Sequence, residues 1–241
     1  MTIHHRISSH AATLIVMFGA MVSARGETRQ NRTPGEYVDC GQVEHRRIWR
    51  ERTPTLTAPD GRHAAYAIVE ARTTPGGESP CATTSRLFIR SASAGSFRLA
   101  YLKTASFGAN GNGIRLIDWS ADSRYLLVEI AMGQWGSDWG DWEILVYDTR
   151  SEYAQVPITY QLLECYFGHE CDAYVRPLGF VKGGVAVEVR PSYDAEGLLE
   201  PTSCVKESAR FVLNFFSGEL APLPAGIEIR HYGKQTLQPG K

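Results

Sequence analysis

The clearest pattern of apolar and polar positions runs from residue 114 to residue 152. Three apolar runs sit there, at 114–119, 125–131 and 144–147. Ser120-Ala121-Asp122-Ser123 breaks the first from the second, and a Gly-, Trp- and Asp-rich segment at 133–141 breaks the second from the third. Asp148-Thr149-Arg150-Ser151 ends the series. Short β-rich runs punctuated by turn residues predict consecutive antiparallel strands. Ile144-Leu145-Val146-Tyr147 is apolar at every position. A strand with one wet face alternates, so this run predicts a sheet covered on both faces. Its residues favour a pleated surface, and the run is too short for a helix. Sheets stacked face to face meet this demand, as blades around an axis or as a sandwich.

The pattern recurs. Ala58-Pro59-Asp60-Gly61-Arg62 is a second copy of the turn, followed by a strand at 64–69 and a later one at Arg86-Leu87-Phe88-Ile89. Asp60 and Asp122 stand 62 residues apart. A more degraded copy begins at Leu178-Gly179-Phe180, with Phe180 following Trp119 by 61 residues. It continues through Val185-Ala186-Val187-Glu188-Val189 to Phe211-Val212-Leu213-Asn214-Phe215, and its turn, Lys182-Gly183-Gly184, has no Asp. A period of about 60 exceeds the roughly 40–50 of common propeller repeats. The excess falls between the second and third strands each time, at 76–84, 133–141 and 191–208. Insertions at equivalent points of a repeat lie on one face, often the binding face.

Asp118-Trp119-Ser120-Ala121-Asp122-Ser123-Arg124, followed by Glu143-Ile144-Leu145-Val146-Tyr147-Asp148, resembles the β-propeller repeats of the TolB-like and WD40-like type. Ala121 stands where that pattern has Pro, and Ser123 where it has Gly. The resemblance covers residues 53–223, most closely 57–70 and 114–152. It implies an all-β chain, a propeller-like stack of small four-stranded antiparallel sheets, serving as a non-catalytic interaction platform. A β-sandwich of the same strands is the alternative. Three repeats fall short of the four blades that usually close a propeller. Residues 36–49 and 227–232 can jointly supply a fourth, irregular blade. Otherwise an open stack must cover its ends by forming a homo-oligomer or docking on a partner.

Residues 1–24 have the form of a cleaved secretory signal: Arg6 near the start, an apolar run at 11–22 and the small-residue site Val22-Ser23-Ala24. The apolar run is too short to span a bilayer comfortably, so no membrane span is expected after cleavage. Residues 25–35 read as a disordered leader, 36–234 as one domain and 235–241 as a loose tail. Fourth strands are expected at 97–102 and at 156–160, the latter on a sheet edge because of Pro157. A further strand is expected at 227–230. The whole chain has 241 residues, is 43% hydrophobic and 21% charged, and suits one large folded domain. A net charge of −1 gives no electrostatic case for nucleic acid or a membrane surface. The expected address is secreted or periplasmic, and the expected partner another envelope or extracellular protein.

Five cysteines follow the expected cleavage site: Cys40, Cys81, Cys165, Cys171 and Cys204. An oxidising compartment favours pairing, and the short loop between Cys165 and Cys171 predicts a local disulfide. The metal reading of that loop uses Cys165, His169, Cys171 and Asp172, but its spacing is wider than zinc pairs use. Neither a metal nor another cofactor is expected. Gly133 to Trp142 holds three of the five tryptophans. Trp135, Asp138, Trp139, Asp141 and Trp142 form the candidate binding surface, since exposed aromatics beside carboxylates stack on sugars or anchor proteins. The packing alternative has Trp139 or Trp142 plugging the gap between blades. Glu129 and Glu188 occupy equivalent second-strand positions. With Asp138 and Asp141 they support the alternative of a glycan-acting hydrolase with an acid–base pair. No G-x-S-x-G, H-E-x-x-H or phosphate-binding loop occurs in a suitable setting, so no catalytic residue is assigned.

Overall fold

The computed structural model describes residues 48–73, 81–104, 109–134, 140–193, 198–199 and 202–236. The chain is all-β, built of small antiparallel sheets with one short helix. The first sheet holds β1 (Ile48–Arg52), β2 (Thr55–Thr57), β3 (Ala64–Thr73), β4 (Cys81–Arg90) and β5 (Arg98–Thr104). The second holds β6 (Ala109–Trp119), β7 (Tyr125–Gln134), β8 (Gly140–Asp148) and β9 (Tyr153–Gln155). Helix α1 (Thr159–Phe167) leads to the third, which holds β10 (Ala173–Val181), β11 (Gly184–Pro191), β12 (Ala209–Asn214) and β13 (Glu219–Pro222). Each sheet is a meander in chain order. The last strand, β14 (Lys234–Thr236), returns to the first sheet and pairs antiparallel with β2.

β1 and β2 pair with successive parts of β3 and act as one interrupted strand. Pro54 causes the interruption, because proline has no N–H to give to a ladder. Thr53 repairs it. Its N–H donates to the Ala67 carbonyl at 2.9 Å, and its hydroxyl accepts the Ala67 N–H at 2.9 Å.

The second sheet is the middle layer, which explains the continuous apolar run in β8. Leu126, Val128, Ile130, Leu145 and Tyr147, with Trp119 of β6, pack against the first sheet around Val69 and Leu87. Leu127, Ile144 and Val146 pack on the opposite side with Val187, Val189, Phe211 and Leu163 of α1. Neighbouring residues on a strand face opposite ways, so both parities must be apolar where both faces are covered.

The repeat holds at atomic detail. Ala58 N–H donates to the His63 carbonyl at 2.9 Å, and Ser120 N–H to that of Tyr125 at 2.8 Å. Asp60 Oδ1 accepts from Arg62 N–H at 2.9 Å, and Asp122 Oδ1 from Arg124 N–H at 3.1 Å. Gly61 has φ of 69° and Ser123 has φ of 62°. The left-handed conformation costs a residue with a side chain about 1 kcal/mol. Ser123 offsets part of that, because its hydroxyl accepts the Asp60 N–H at 3.0 Å and ties the two turns together. The third repeat shortens the turn to Lys182-Gly183, with Gly183 at φ of 97°.

Several expectations need correction. The fourth strand of the second sheet is Tyr153–Gln155, not 156–160, because Pro157 follows. The segment after it is helix α1. Gln161, Leu162, Leu163 and Glu164 are good helix formers, and Gly168 ends the helix left-handed, its N–H donating to the Glu164 carbonyl at 2.8 Å. Residues 227–230 form no strand. Instead Lys234–Thr236, the last two residues of which fall in the expected loose tail, complete the first sheet. Neither the described part of 36–49 nor 227–232 builds a fourth sheet: β1 belongs to the first. No helix among the described residues is long and apolar enough to cross a membrane.

Truncating Leu127 to Ala leaves a void between the second and third sheets and is expected to lower stability by about 2–5 kcal/mol in urea titration. Leu99, 53% exposed, is the control. Leu99→Ala is expected to stay within about 0.5 kcal/mol of the parent.

Candidate functional site

The three sheets meet at their first strands, and one buried carboxylate organises that seam. The β6–β7 register slips between Leu116 and Asp118, a bulge that leaves Ile117 without a partner. Asp118 is only 1% exposed. Its Oδ1 accepts the N–H of Trp119 at 2.8 Å, Tyr232 at 3.0 Å and Gly233 at 2.8 Å. His231 Nδ1 lies 3.5 Å from Oδ2. The indole N–H of Trp119 donates to the Leu56 carbonyl at 3.0 Å. These bonds hold the segment before β14 over β6 and lock β6 to β2. Gly179, at φ of 154°, lets the same segment pass β10, since a Cβ there would lie 2.8 Å from Ile229 Cγ2.

Two clefts adjoin the seam. An axial cleft of about 330 Å³ is lined by residues of all three first strands, among them Leu56, Arg115, Ile117 and Arg176, and by His231 and Gln235. A wider groove of about 960 Å³ lies at the turn end of the second and third sheets, under residues 226–232. Its aromatic lining includes Tyr125, Phe215 and Phe216, with ring centroids 4.2–5.6 Å apart. Phe216 is 66% exposed and Ile227 43%. Lys182, Arg230, Asp122 and Glu228 supply charge of both signs along the groove. Arg124 stands over the Tyr125 ring at 4.7 Å. Its guanidinium grips Asp148 with two hydrogen bonds, of 3.1 and 2.7 Å, and holds that carboxyl below the usual range. Burial pushes the Tyr125 phenol up.

Of the expected binding residues, Trp135, Asp138 and Trp139 lie outside the described residues. Asp141 is in β8, opposite Met132. Trp142 is half-buried, and its ring meets Tyr174 of β10 edge-on with centroids 5.1 Å apart. That contact fits the packing reading, in which Trp142 fills the join between the second and third sheets. The strand ends from which the long inserts leave, Thr73, Gln134 and Pro191, lie at the end opposite the turns, whereas the groove lies at the turn end.

The expected Cys165–Cys171 disulfide is corrected. Cys171 bonds to Cys204, with their Cα atoms 4.9 Å apart, and Cys165 is a free, exposed thiol. Helical geometry explains the change. Leu163 of α1 faces the core, so a residue two positions on lies about 200° around the helix and faces outward. Cys171 is carried into the core beyond the helix end, and Asp172 N–H donates to the Thr202 carbonyl at 3.0 Å, bringing Cys204 alongside. The zinc reading loses its ligand with Cys171. Among the described residues no cluster of three metal-binding side chains occurs.

The second-strand glutamates are held by arginines. Glu129 accepts from Arg115 at 2.7 Å and Glu188 from Arg190 at 2.5 Å. Glu70, at the same place in the first sheet, accepts from Arg72 at 2.6 Å. Glu70, Glu129 and Glu188 are spaced by 59 residues each time. By register they stand opposite Arg50, Arg115 and Arg176. A repeated cross-strand Glu–Arg position is a structural device, and neither Glu129 nor Glu188 lines the two clefts described.

Comparison with known proteins returns no matching family model, no matching curated protein and no matching solved structure. Arg176, His231 and Phe216 were not among the expected site residues, and Asp118 entered only as the start of the turn motif. The Arg/Glu register was the available signal for Arg176, whereas nothing local marks Asp118 as a partner for a segment 114 residues away.

Two outcomes are expected. Asp118→Ala strands three main-chain N–H groups, at about 1–3 kcal/mol for each group left buried and unpaired. Amide exchange by mass spectrometry should rise first at Tyr232 and Gly233. In a non-reducing peptide map, Cys171 and Cys204 should appear joined, while Cys165 takes up iodoacetamide in the folded protein.

Proposed function

We propose that this chain is an exported, non-catalytic interaction protein, which grips a segment of another envelope or extracellular protein in the groove at the turn end of its second and third sheets. The observation that carries this reading is the exposed Phe216, in one groove with Ile227 and set over the half-buried Tyr125 and the buried Phe215. An apolar centre with a charged rim of both signs is the anatomy of a protein contact surface. Aromatic residues at such a centre contribute the most binding energy. The likeness of the turns to TolB-like repeats supports the interaction role. The signal-like pattern of residues 1–24 and the Cys171–Cys204 bond support export, because disulfides persist in oxidising compartments. The glycan-hydrolase alternative has less support, since Glu129 and Glu188 are each held by an arginine.

The test is capture from an envelope extract by the tagged mature protein and by Phe216→Ala, whose exposed position makes misfolding a minor concern. A Trp135/Trp139/Trp142→Ala variant runs beside them. A partner held by the parent and lost with Phe216→Ala, with a loss of about 1–2 kcal/mol or more in the purified pair, supports the groove. Loss only with the tryptophan variant moves the contact to the insert face. No partner with any of the three defeats the proposal.

A further inference from the structure

The axial cleft carries an inference that does not rest on the groove. Its walls are largely apolar, with Pro54, Leu56, Leu116, Ile117, Pro177 and Leu178 among them. Among the described residues its charged lining side chains are arginines, and no carboxylate lines it. A cavity of about 330 Å³ with apolar walls and a few convergent polar groups has the size and make-up of a small-molecule site.

The repeated Glu–Arg register explains why positive charge is left over here. In the second sheet the first-strand arginine, Arg115, is taken by Glu129 across the ladder at 2.7 Å. In the third sheet the equivalent arginine is Arg176, opposite Glu188. Glu188 turns instead to Arg190, two residues along its own strand, at 2.5 Å. Arg176 is exposed on the cleft wall, and no ion pair holds it among the described residues. Arg115 stands beside it with its Nε buried and without a hydrogen-bond partner. His231, Gln235 and Thr53 add further hydrogen-bonding groups. A guanidinium is a planar fork that matches a carboxylate or a phosphate with two parallel hydrogen bonds.

We infer that the axial cleft binds a small organic anion, its carboxylate or phosphate taken by Arg176 with help from Arg115 and His231, and its apolar part lying against Leu56, Ile117 and Leu178. The occupant therefore needs both a charge and a hydrophobic body. Neither part alone fills the requirement.

The test is calorimetric titration of the mature protein with four probes: benzoate, phenyl phosphate, inorganic phosphate and benzyl alcohol. Benzoate or phenyl phosphate should bind saturably with a dissociation constant below about 1 mM. Inorganic phosphate should bind at least about tenfold more weakly than phenyl phosphate, and benzyl alcohol should not compete. Arg176→Gln should weaken binding by about tenfold or more, with its melting temperature unchanged because the side chain is exposed. Arg176→Lys keeps the charge but loses the fork, and should fall between parent and Gln variant. The inference is overturned if neither organic anion binds below that limit. Binding of benzyl alcohol as tightly as benzoate, or equal affinity in parent and Arg176→Gln, overturns it too.

Discussion

A carboxylate withdrawn from water must be surrounded by donors, and Asp118 meets that demand with the backbone of a distant segment. Desolvation of an ion costs far more than a single hydrogen bond returns, so one partner is not enough. Asp118 recruits the N–H groups of Trp119, Tyr232 and Gly233 together. The bulge in β6 turns its side chain toward them. Because residues 231–233 are fixed there, the chain that follows arrives in register beside β2 as β14. A short, open edge on the first sheet is thereby covered. The first and second sheets are joined at the same place by the Trp119 indole on Leu56.

The middle sheet does the complementary work with apolar contacts. Its two faces supply both cores, so the first and third sheets are each held by a separate hydrophobic layer. This arrangement needs no closed ring of blades. It leaves room where the three first strands meet, and two of the arginines of the repeated Glu–Arg positions, Arg115 and Arg176, line that space. The glutamates that looked like candidate acids and bases are the counter-ions of this scheme. Their engagement by arginine draws the chemistry of the seam toward holding an anion.

The turn chemistry was legible with little loss. Asp60-Gly61-Arg62 and Asp122-Ser123-Arg124 fold alike because an Asp side chain bonds to the backbone two residues on, a contact contained within the motif. The helix α1 was not read, since its nine residues are near the lower limit of a periodic signal and stand beside Pro157 and a strand pattern. The disulfide was misplaced for the same reason: sequence proximity suggested Cys165, but the helix turns that residue outward and brings Cys204 to Cys171 from 33 positions away.

Periodicity and turn residues report interactions a few residues long, and from them the strands, the three-fold repeat and the two-sided burial of residues 144–147 follow directly. The partner of a buried charge is of another kind. Asp118 and Tyr232, and Phe216 and Tyr125, are matched only after the sheets have packed, because a polar or aromatic group is satisfied by whatever the chain's path brings near it. Local pattern therefore sets which elements form. The path between them sets which buried carboxylates are satisfied, which arginines line a cleft and where the surface opens into one.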